Sequence, residues 1–284
     1  MVKPARKRAV VEQLVVAFAL SERRACRLLR FSRASNRYQS VAKDTTALRM
    51  RIREIAEVRR RFGYRRVHVM LLREGWKLNH KRTYRIYRQE GLSVRTKKRK
   101  KRGSHLRIVP VAAAALNERW SMDFVADSLL DGRAFRALTV VDNFSRESLI
   151  VQADFSLTGA KVAAALDRVC GELGRGYPKM ITVDNGTEFY SRAMDAWAYR
   201  HGVRLDFIRP GRPVENAFIE SFNGRLRDEC LNGDVFFSIV DANEKIEAWR
   251  NDYNTCRPHS SIGNLAPAEY AINSQEKQAK EAKL

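Results

Sequence analysis

The chain has 284 residues, of which 44% are hydrophobic, so it can form two domains with buried cores. It has no apolar run of about 18 residues and no apolar core after its basic N-terminus, which argues against a membrane span and a secretory signal and favours the cytoplasm. The net charge is +22; residues 1–107 carry 33 Lys and Arg against 7 Asp and Glu, and residues 108–284 carry 21 against 25. The first part is therefore expected to bind a polyanion, and nucleic acid fits it better than a membrane surface.

Residues 1–43 are predicted to form a helix-turn-helix-like segment of three short helices. Ser21 and Ser32 stand where the N-caps of the second and third helices are expected, and the third helix carries Arg33 and Arg37. Two helices joined by a tight turn, with arginines on the last helix, are typical of DNA-binding helix-turn-helix proteins. Any small helical bundle gives a similar pattern, so contact with DNA stays one of two interpretations.

Residues 44–94 are predicted to form a second set of three helices, over residues 45–61, 64–74 and 79–90. The buried stripe of the first helix is expected to consist of Leu48, Ile52, Ile55 and Val58. Gly63 is expected to end this helix, and Asn79 to cap the third one.

Four residues of this second set are candidates for DNA contact: Tyr64, Arg65, Arg66 and Arg82. The first three begin a helix, where free backbone N–H groups bind phosphate oxygens well, and Arg82 projects from the last helix. The alternative is an ordinary solvated face, with Tyr64 in the core.

A basic linker is predicted over residues 95–114, because RTKKRKKR, residues 95–102, has seven cations in eight positions. Like charges at this density do not pack against one another, so the segment is expected to be extended. A nuclear-localisation signal has the same composition. The position between a basic and a slightly acidic region favours contact with a DNA backbone by Lys97, Lys98, Arg99, Lys100, Lys101 and Arg102.

Strand signals begin after residue 115. Three consecutive strands are expected in RWSMDFV, FRALTVVDNFS and SLIVQAD, and two more in KMITVD and VRLDFI. Helices are predicted after Thr158, with Leu173 on the buried face, and after Ser191, followed by long helices over about residues 214–231 and 241–254. Consecutive strands followed by alternating helices and strands predict an α/β fold with a mixed five-stranded sheet and flanking helices.

Three acids in this part of the chain are candidates for chemistry. Asp123 lies inside the first strand, where propensity and burial both disfavour an acid. Asp184 ends the fourth strand before Asn185 and Gly186, where an ordinary turn is the alternative explanation. Glu220, after 35 intervening residues, lies in the helix ENAFIESFNGRLRDEC.

The helix that contains Glu220 has two distinct faces. At about 100° per residue, one face is apolar and consists of Phe218, Phe222, Leu226 and Cys230, with Ile219 beside it. The other face consists of Asn216, Glu220, Asn223 and Arg227. The helix can therefore pack on the sheet and still present Glu220 near its edge.

Three carboxylates brought together predict a site for cations. At about 4 Å and an effective dielectric of about 20, each pair repels by about 4 kcal/mol, so the cluster binds either protons or hard divalent cations. Oxygen ligands suit Mg²⁺ or Mn²⁺. The four cysteines form no CxxC pair and the five histidines have no ligand spacing, which disfavours disulfides and zinc.

Four stretches carry a family resemblance: NERWSMDFV, TVDNGTEF, RPGRPVENAFIESFNGRLRDEC and YNTCRPHSSIGNLAPAEY. Through them the chain resembles the orfB-type transposases of bacterial insertion sequences, within the DDE transposase and retroviral integrase superfamily. LSERRACRLLRFSR and FGYRRVHVMLLREG extend the resemblance to nearly the whole chain. The family has an acid in each of the first three motifs, which falls here on Asp123, Asp184 and Glu220, and a basic residue seven positions after the last acid, here Arg227.

The resemblance implies a ribonuclease-H-like integrase core over residues 115–272, with a polar tail over residues 273–284. It implies a Mg²⁺- or Mn²⁺-dependent transposase, in which the three acids bind two ions and catalyse DNA cleavage and strand transfer. The implied partners are the terminal inverted repeats of the element, target DNA, further copies of the chain on DNA, and the product of an upstream frame in a frameshift fusion. The implied location is the bacterial nucleoid.

Four residues near the acids are further candidates for DNA contact: Arg227, Asn216, Asn223 and Arg212. Arg212 lies in the loop RPGRPVEN, which either binds a phosphate or only caps a helix. Pairing with Asp228 or Glu229 is the alternative for Arg227.

Three neighbouring acids have simpler explanations than catalysis. Asp142 is expected to form a turn, Glu188 to support the site or begin a helix, and Glu215 to complement a helix dipole.

Two other classes of protein fit part of the pattern. A nuclease acting on RNA–DNA hybrids or junctions would need the acids but not the basic N-terminal part. A non-catalytic DNA-binding regulator would need the basic part but not three acids in register.

Overall fold

The computed structural model describes residues 4–39, 44–94, 113–209 and 216–281, with side chains up to residue 277. The chain is divided into two compact units, Met1–Leu48 and Arg49–Leu284. None of the helices in the described ranges combines the length and the apolar character that a bilayer span requires.

The first unit contains the three predicted helices, α1 (Pro4–Phe18), α2 (Glu22–Leu28) and α3 (Arg33–Arg37). Its core consists of Val11, Ala25 and Cys26. Ser21 caps α2 by accepting a hydrogen bond from the N–H of Arg24. Ser32 stands at the N-cap of α3 as predicted, but its side chain makes no capping hydrogen bond to this helix of five residues.

The second set of helices is α4 (Thr46–Val58), α5 (Tyr64–Arg73) and α6 (His80–Gln89). Asn79 caps α6 as predicted, by accepting the N–H of Lys81 at 2.9 Å. Two expectations for α4 were wrong. Val58 is 80% exposed because the helix ends there, and Gly63 does not end α4 but stands at the N-cap of α5.

The sheet has five strands: β1 (Arg119–Ser128), β2 (Ala134–Asp142), β3 (Ser148–Asp154), β4 (Met180–Val183) and β5 (Arg204–Phe207). Their order is β3-β2-β1-β4-β5. The pairs β1–β2 and β2–β3 are antiparallel, whereas β1–β4 and β4–β5 are parallel. This sheet confirms the predicted mixed α/β fold, because short connections produce antiparallel hairpins and helical crossovers produce parallel pairs.

Five helices follow or flank the sheet: α7 (Gly159–Asp167), α8 (Arg192–His201), α9 (Ala217–Leu226), α10 (Ile239–Thr255) and α11 (Pro267–Glu281). Thr158 and Ser191 cap α7 and α8 as predicted. Single π-helical turns extend α7 over Arg168–Glu172 and α9 over Arg227–Leu231. Leu173 is 71% exposed, contrary to expectation, because it lies where the wider π-helical turn ends.

The side chains of the strands alternate between two hydrophobic cores, one on each face of the sheet. Trp120, Met122 and Leu138 pack with α7 and α8 on one face. Val125 and Ala137 pack with α9 and α10 on the other face. Since side chains alternate along a strand, Asp123 of β1 belongs to the face that α9 covers.

Helices α4–α6 contact the elements after β5 within the second unit. Arg59 forms an ion pair with Asp252 of α10. Arg73 of α5 donates to the backbone oxygens of Cys256 at 3.1 Å and Asn264 at 3.0 Å. These contacts join the second set of helices to the sheet-containing part of the chain; the predicted boundaries of separate domains stay a prediction.

Candidate active site

The sheet brings Asp123 and Asp184 to the same level. In the parallel β1–β4 pair, Arg119 faces Met180 and Ser121 faces Thr182. The same register continued beyond Thr182 brings Asp184 level with Asp123. Asp123 therefore lies in β1 and Asp184 directly after the adjacent strand β4, and each is half-buried.

Helix α9 crosses β1 with its polar face toward the strand. Asn223 donates a hydrogen bond from Nδ2 to Oδ2 of Asp123 at 2.8 Å. Ile219, Phe222 and Leu226 are buried in the core beneath. Glu220 lies on the same polar face, at an exposed position. Asp184 and Glu220 thus both lie near enough to Asp123, in the middle of β1, to raise its pKa.

The carboxyl of Asp123 binds protons more tightly than an ordinary Asp. Burial raises its pKa from 3.8 to about 6, and repulsion from Asp184 and Glu220 adds to the effect. The N–H of Phe124, 2.7 Å from Oδ1, and the amide of Asn223 oppose the shift by donating to the carboxylate. A positive ion between these carboxylates would offset their repulsion and lower the pKa of Asp123.

Thr139 supports Asp123 from the neighbouring strand. It faces Asp123 in the antiparallel β1–β2 register and is fully buried. Its hydroxyl lies 2.9 Å from Oδ1 of Asn223 and 3.0 Å from the backbone oxygen of Asp123, and donates to one of them at a time. Thr139 was not identified from the sequence, although a polar residue between Leu138 and Val140 was a usable signal.

The loop after β4 holds Asp184 with a backbone hydrogen bond. The N–H of Gly186 donates to Oδ1 of Asp184 at 3.0 Å. A Cβ atom at Gly186 would lie only 3.0 Å from the same oxygen, so a larger residue here would push the carboxylate of Asp184 by a few tenths of an ångström. Asn185 anchors the loop by donating to the backbone oxygen of Ile208 at 3.1 Å. The turn formed by Asp184, Asn185 and Gly186 therefore also fixes the carboxylate of Asp184, so the turn and a role in the site are compatible explanations.

Arg136 connects this loop to β2. It forms an ion pair with Glu188 at 2.6 Å, and its guanidinium lies 4.9 Å from the ring centre of Phe124. Phe124 stacks on Phe189 with ring centres 4.7 Å apart and planes 4° apart. Hydrogen bonds and Arg136 hold the pKa of Glu188 below its ordinary value. Glu188 thus supports the loop from outside, a role considered for it, whereas Arg136 was not identified from the sequence.

Asp142 is a structural acid, as expected. It is fully buried, and its carboxylate accepts the N–H groups of Asn117 at 3.0 Å, Phe144 at 2.8 Å and Ser145 at 2.9 Å. These bonds shape the turn between β2 and β3.

Three of the candidates for DNA contact lie against β1. Asn216 donates to the backbone oxygen of Met122 at 3.4 Å, and Asn223 binds Asp123 as described. Arg227 is exposed and donates from Nη2 to the backbone oxygen of Ala126 at 2.9 Å; it does not pair with Asp228 or Glu229. The polar face of α9 is therefore directed at the strand that holds Asp123.

The other described candidates for DNA contact lie on α5 and α6. Tyr64 packs edge-on against Tyr84 at 4.8 Å, and its hydroxyl accepts a bond from exposed Arg65 at 3.3 Å. Arg66 and Arg82 are half-buried. The remaining candidates lie outside the described residues: Arg212, Lys97, Lys98, Arg99, Lys100, Lys101 and Arg102.

The ligand atoms of the three acids suit divalent metal ions, but the described side chains are not close enough together to hold one. All their ligand atoms are carboxylate oxygens, which suit Mg²⁺ and Mn²⁺. The raised pKa of Asp123 is the electrostatic effect that bound cations would offset. Within the described ranges, no three His, Cys, Asp or Glu side chains converge closely enough to hold a metal ion.

Asp123→Asn should raise the Tm of the metal-free protein. At neutral pH the carboxyl is ionised, yet its pKa of about 6 in the folded chain exceeds the ordinary 3.8, so ionisation favours unfolding. The amide removes this cost, which amounts to about 1–3 kcal/mol and a few degrees in Tm. The gain should be full at about pH 8 and should shrink as the pH falls from about 6 toward about 4.

Thermal unfolding in the presence of a chelator measures this effect. The matched control is Asp131→Asn, where the N–H of Arg133 and its guanidinium keep the carboxyl pKa low, so the amide should not raise Tm. A Tm for Asp123→Asn that is unchanged at about pH 8 would contradict the electrostatic cost assigned to Asp123.

Comparison with known families covers most of the chain. Models of the integrase core domain match residues 113–213 and 201–267. The model of an HTH-like domain matches residues 43–101.

Several curated proteins are similar over most of their length. The chain is 45% identical over 280 residues, 98% of this chain and 80% of the relative, to the uncharacterized 39.2 kDa protein of insertion element IS476 from Xanthomonas euvesicatoria. It is 49% identical over 254 residues, 89% of this chain and 91% of the relative, to the uncharacterized 31.7 kDa protein of insertion element IS407 from Burkholderia multivorans. It is 28% identical over 233 residues, 78% of this chain and 82% of the relative, to the putative transposase InsK of element IS150 from Escherichia coli. The chain therefore belongs to the insertion-element transposases with an integrase core domain, which are polynucleotidyl transferases.

Proposed function

We propose that the chain is a DDE transposase that cleaves the ends of an insertion sequence and transfers them to target DNA. The observation that carries this proposal is that Asp123 in β1 lies near Asp184, which follows the adjacent parallel strand β4, and near Glu220 on α9, since both acids raise the pKa of Asp123. Asp123, Asp184 and Glu220 would be the catalytic residues and would hold two Mg²⁺ or Mn²⁺ ions. Such ions, when bound, activate the attacking hydroxyl and stabilise the leaving oxygen of a phosphodiester.

The chain itself keeps the carboxylates in place for this chemistry. Asn223 and the N–H of Phe124 each bind one oxygen of Asp123, so its carboxylate has a fixed orientation. The N–H of Gly186 does the same for Asp184. Glu220 is exposed and is therefore accessible to DNA and to ions. Because the nucleophile is water and then a DNA 3′-hydroxyl, the chain needs no Ser or Tyr nucleophile.

The basic N-terminal part would bind the ends of the element. Tyr64, Arg65, Arg66 and Arg82 are proposed as phosphate contacts on α5 and α6. Gly63, the N-cap of α5, has no side chain to accept the free N–H groups of the first turn, which leaves them for a phosphate oxygen. The linker cations 97–102 and Arg212 are proposed as further DNA contacts on the strength of their charge.

Asn216 and Asn223 are proposed to contact DNA only at the rim of the site. Their amide groups already bind Met122 and Asp123, so positioning of the carboxylates is their main role in this proposal.

Arg227→Ala should weaken binding of the element end and slow joining by roughly tenfold, about 1.4 kcal/mol. The physical reason is that Arg227 lies two turns beyond Glu220 on the same face, within reach of a phosphate next to the one at the acids. The Mn²⁺ dependence of cleavage should not change. Binding and joining assays with labelled element ends measure these effects, with Arg200→Ala on α8 as the control.

A different outcome would assign Arg227 another role. Its guanidinium donates to the backbone oxygen of Ala126 at 2.9 Å. If Arg227→Ala lowers Tm without changing DNA affinity, the residue only fastens α9 to β1, and the proposed DNA contact is wrong.

The partners of this activity would be the terminal inverted repeats, target DNA and further copies of the chain on DNA. We also propose the product of an upstream frame, joined by frameshifting, as a partner; mass spectrometry of the protein expressed from the whole element tests this. Because it would act on DNA, the protein is proposed to lie at the bacterial nucleoid. A strand-transfer assay with labelled element ends tests the function itself: hydrolysis without joining would support a nuclease, and binding without either reaction would support a regulator.

A further inference from the structure

A cluster of arginines surrounds the rings of Tyr253 and His259, apart from the three acids. This arginine cluster consists of Arg66 on α5, Arg146 after β2, Arg225 on α9 and Arg257 after α10. Burial, and then the charges of all four arginines, lower the pKa of His259 to about 3. Four elements that are distant in the sequence thus bring their positive charges to one place.

Among the described residues, acids balance only part of the positive charge of the arginine cluster. Arg257 is 2% exposed and forms an ion pair with Glu229. Among the residues that the structure describes, the other three arginines have no ion-pair partner. The charge of Asp142 raises the pKa of Arg146, but the oxygens of Asp142 already accept backbone N–H groups. Buried charges without partners are costly, so an additional anion is expected here.

Hydrogen-bond donors of the cluster are also unused. Within the described part of the chain, Nη1 of Arg146 and Nε of Arg257 are buried and have no acceptor. Burial lowers the pKa of Arg66 and Arg146 from the ordinary arginine value, and burial with the neighbouring arginines lowers that of Arg257 to about 8. Buried guanidinium groups normally have all their strong donors satisfied.

The backbone of Arg146 is held in an uncommon conformation that positions its side chain. Its φ is 67°, in the left-handed region that bulky residues rarely adopt. The guanidinium lies 4.0 Å from the ring centre of Phe218 on α9. Such strain persists where the surroundings impose it, often at binding sites.

One arginine of the cluster, Arg66, borders a cleft. Arg66 lines a cleft of about 660 Å³ together with Tyr64, Arg65, His68, Pro258 and Ser260. The N-terminus of α5 faces this cleft without a capping side chain at Gly63. The positive end of the α5 dipole and the arginine side chains therefore both contribute positive charge to the cleft.

We propose that the arginine cluster binds a phosphate group of the DNA backbone. A phosphate has several acceptor oxygens and matches the forked donors of guanidinium groups. Arg225 lies five residues after Glu220, which places it about 140° around α9 from that acid. The bound phosphate is therefore not the one that reacts but belongs to a second segment of the DNA. The choice of DNA as the source rests on the proposed function.

The first test uses inorganic phosphate and the full chain. Tm is measured in sodium phosphate and in sodium chloride at equal ionic strength, for the wild type, Arg146→Gln and Arg225→Gln. Arg200→Gln on α8 is the control, because it removes the same charge from an exposed place outside the cluster. Phosphate should raise the Tm of the wild type and the control by about 2–4 °C at several times the dissociation constant.

Phosphate should not raise the Tm of the two cluster variants, Arg146→Gln and Arg225→Gln. In chloride alone they should be as stable as the wild type or more stable, because one repelling charge is gone. If either variant is instead less stable than the wild type by the same amount in both salts, the arginines only pack on aromatic rings, and the anion site is refuted.

The second test identifies the source of the phosphate. Binding of a short duplex of random sequence is measured at several salt concentrations. Arg146→Gln should lower the affinity and reduce the slope of log K against log salt by about 0.9, the value for one phosphate contact. If phosphate stabilises only the wild type but the slopes are equal, the site binds a free phosphate and the DNA assignment is wrong. If the wild type does not bind duplex at all, the proposed function fails while the result with inorganic phosphate still stands.

Discussion

Asp123→Asn, Asp184→Asn and Glu220→Gln should each reduce DNA cleavage and joining by on the order of 10³-fold, because losing one ligand removes several kcal/mol of metal-based stabilisation. Each amide keeps the shape of the side chain but removes the negative charge that a divalent ion requires. Binding of element ends should stay nearly the same, since DNA affinity comes mainly from the basic part of the chain. Single-turnover cleavage and strand-transfer assays, together with a binding assay, measure the two properties separately.

The control for this experiment is an acid that the structure assigns to the fold. Asp131→Asn changes an exposed turn between β1 and β2 and should leave both reactions unchanged. Asp142→Asn is unsuitable, because this buried carboxylate accepts backbone N–H groups and its loss would disturb the turn. Retained strand transfer in any of the three amide variants would remove that residue from the catalytic site.

DNA binding by the full chain should fall by about 10³- to 10⁵-fold between about 50 mM and about 200 mM salt, as expected for 6–10 phosphate contacts. Residues 1–107 carry 33 Lys and Arg against 7 Asp and Glu, which is ample charge for that number of contacts. The full chain is the proper sample, since Arg59 and Arg73 bind groups beyond residue 250. Titrations of labelled duplex over a series of salt concentrations give the slope.

A pair of double variants tests where the contacts lie. Arg65→Gln with Arg82→Gln should reduce the slope by about 1.8, two phosphate contacts, if both residues bind DNA. Arg192→Gln with Arg200→Gln removes the same charge from the exposed side of α8 and should change the slope little. Equal slopes for the two double variants would refute the assignment of α5 and α6 to DNA, and an affinity indifferent to salt would refute electrostatic binding altogether.

Local patterns were enough to predict the elements of the fold. Alternation and β-branched residues marked the five strands, and Thr158, Ser191 and Asn79 marked helix starts, because strand alternation and capping depend on residues close in sequence. Two residues that were predicted to be buried, Val58 and Leu173, are exposed because they lie at helix ends. The end of a helix depends on what the next element packs against, which the local pattern does not contain.

The three acids were also identifiable without a structure. An acid in a buried strand, an acid at a strand end and an acid on the polar face of an amphipathic helix were each visible in the sequence. Their proximity depended on the parallel β1–β4 register and on how α9 crosses β1. The raised pKa of Asp123 follows from burial and from its neighbours, so it too required the assembled site.

The sequence by itself determined the charge distribution, the order of strands and helices, and which residues are polar or apolar on each face. Only the tertiary structure decided what each polar face meets. The sequence predicts DNA contact for Asn216, Asn223 and Arg227, and this stays a prediction; that their side chains also contact β1 only the structure revealed. The grouping of Arg66, Arg146, Arg225 and Arg257 around His259 was likewise invisible in the sequence, since these residues come from distant elements. Periodicity follows from contacts within one helix or strand, whereas the partner of a polar side chain depends on packing between elements far apart in the chain.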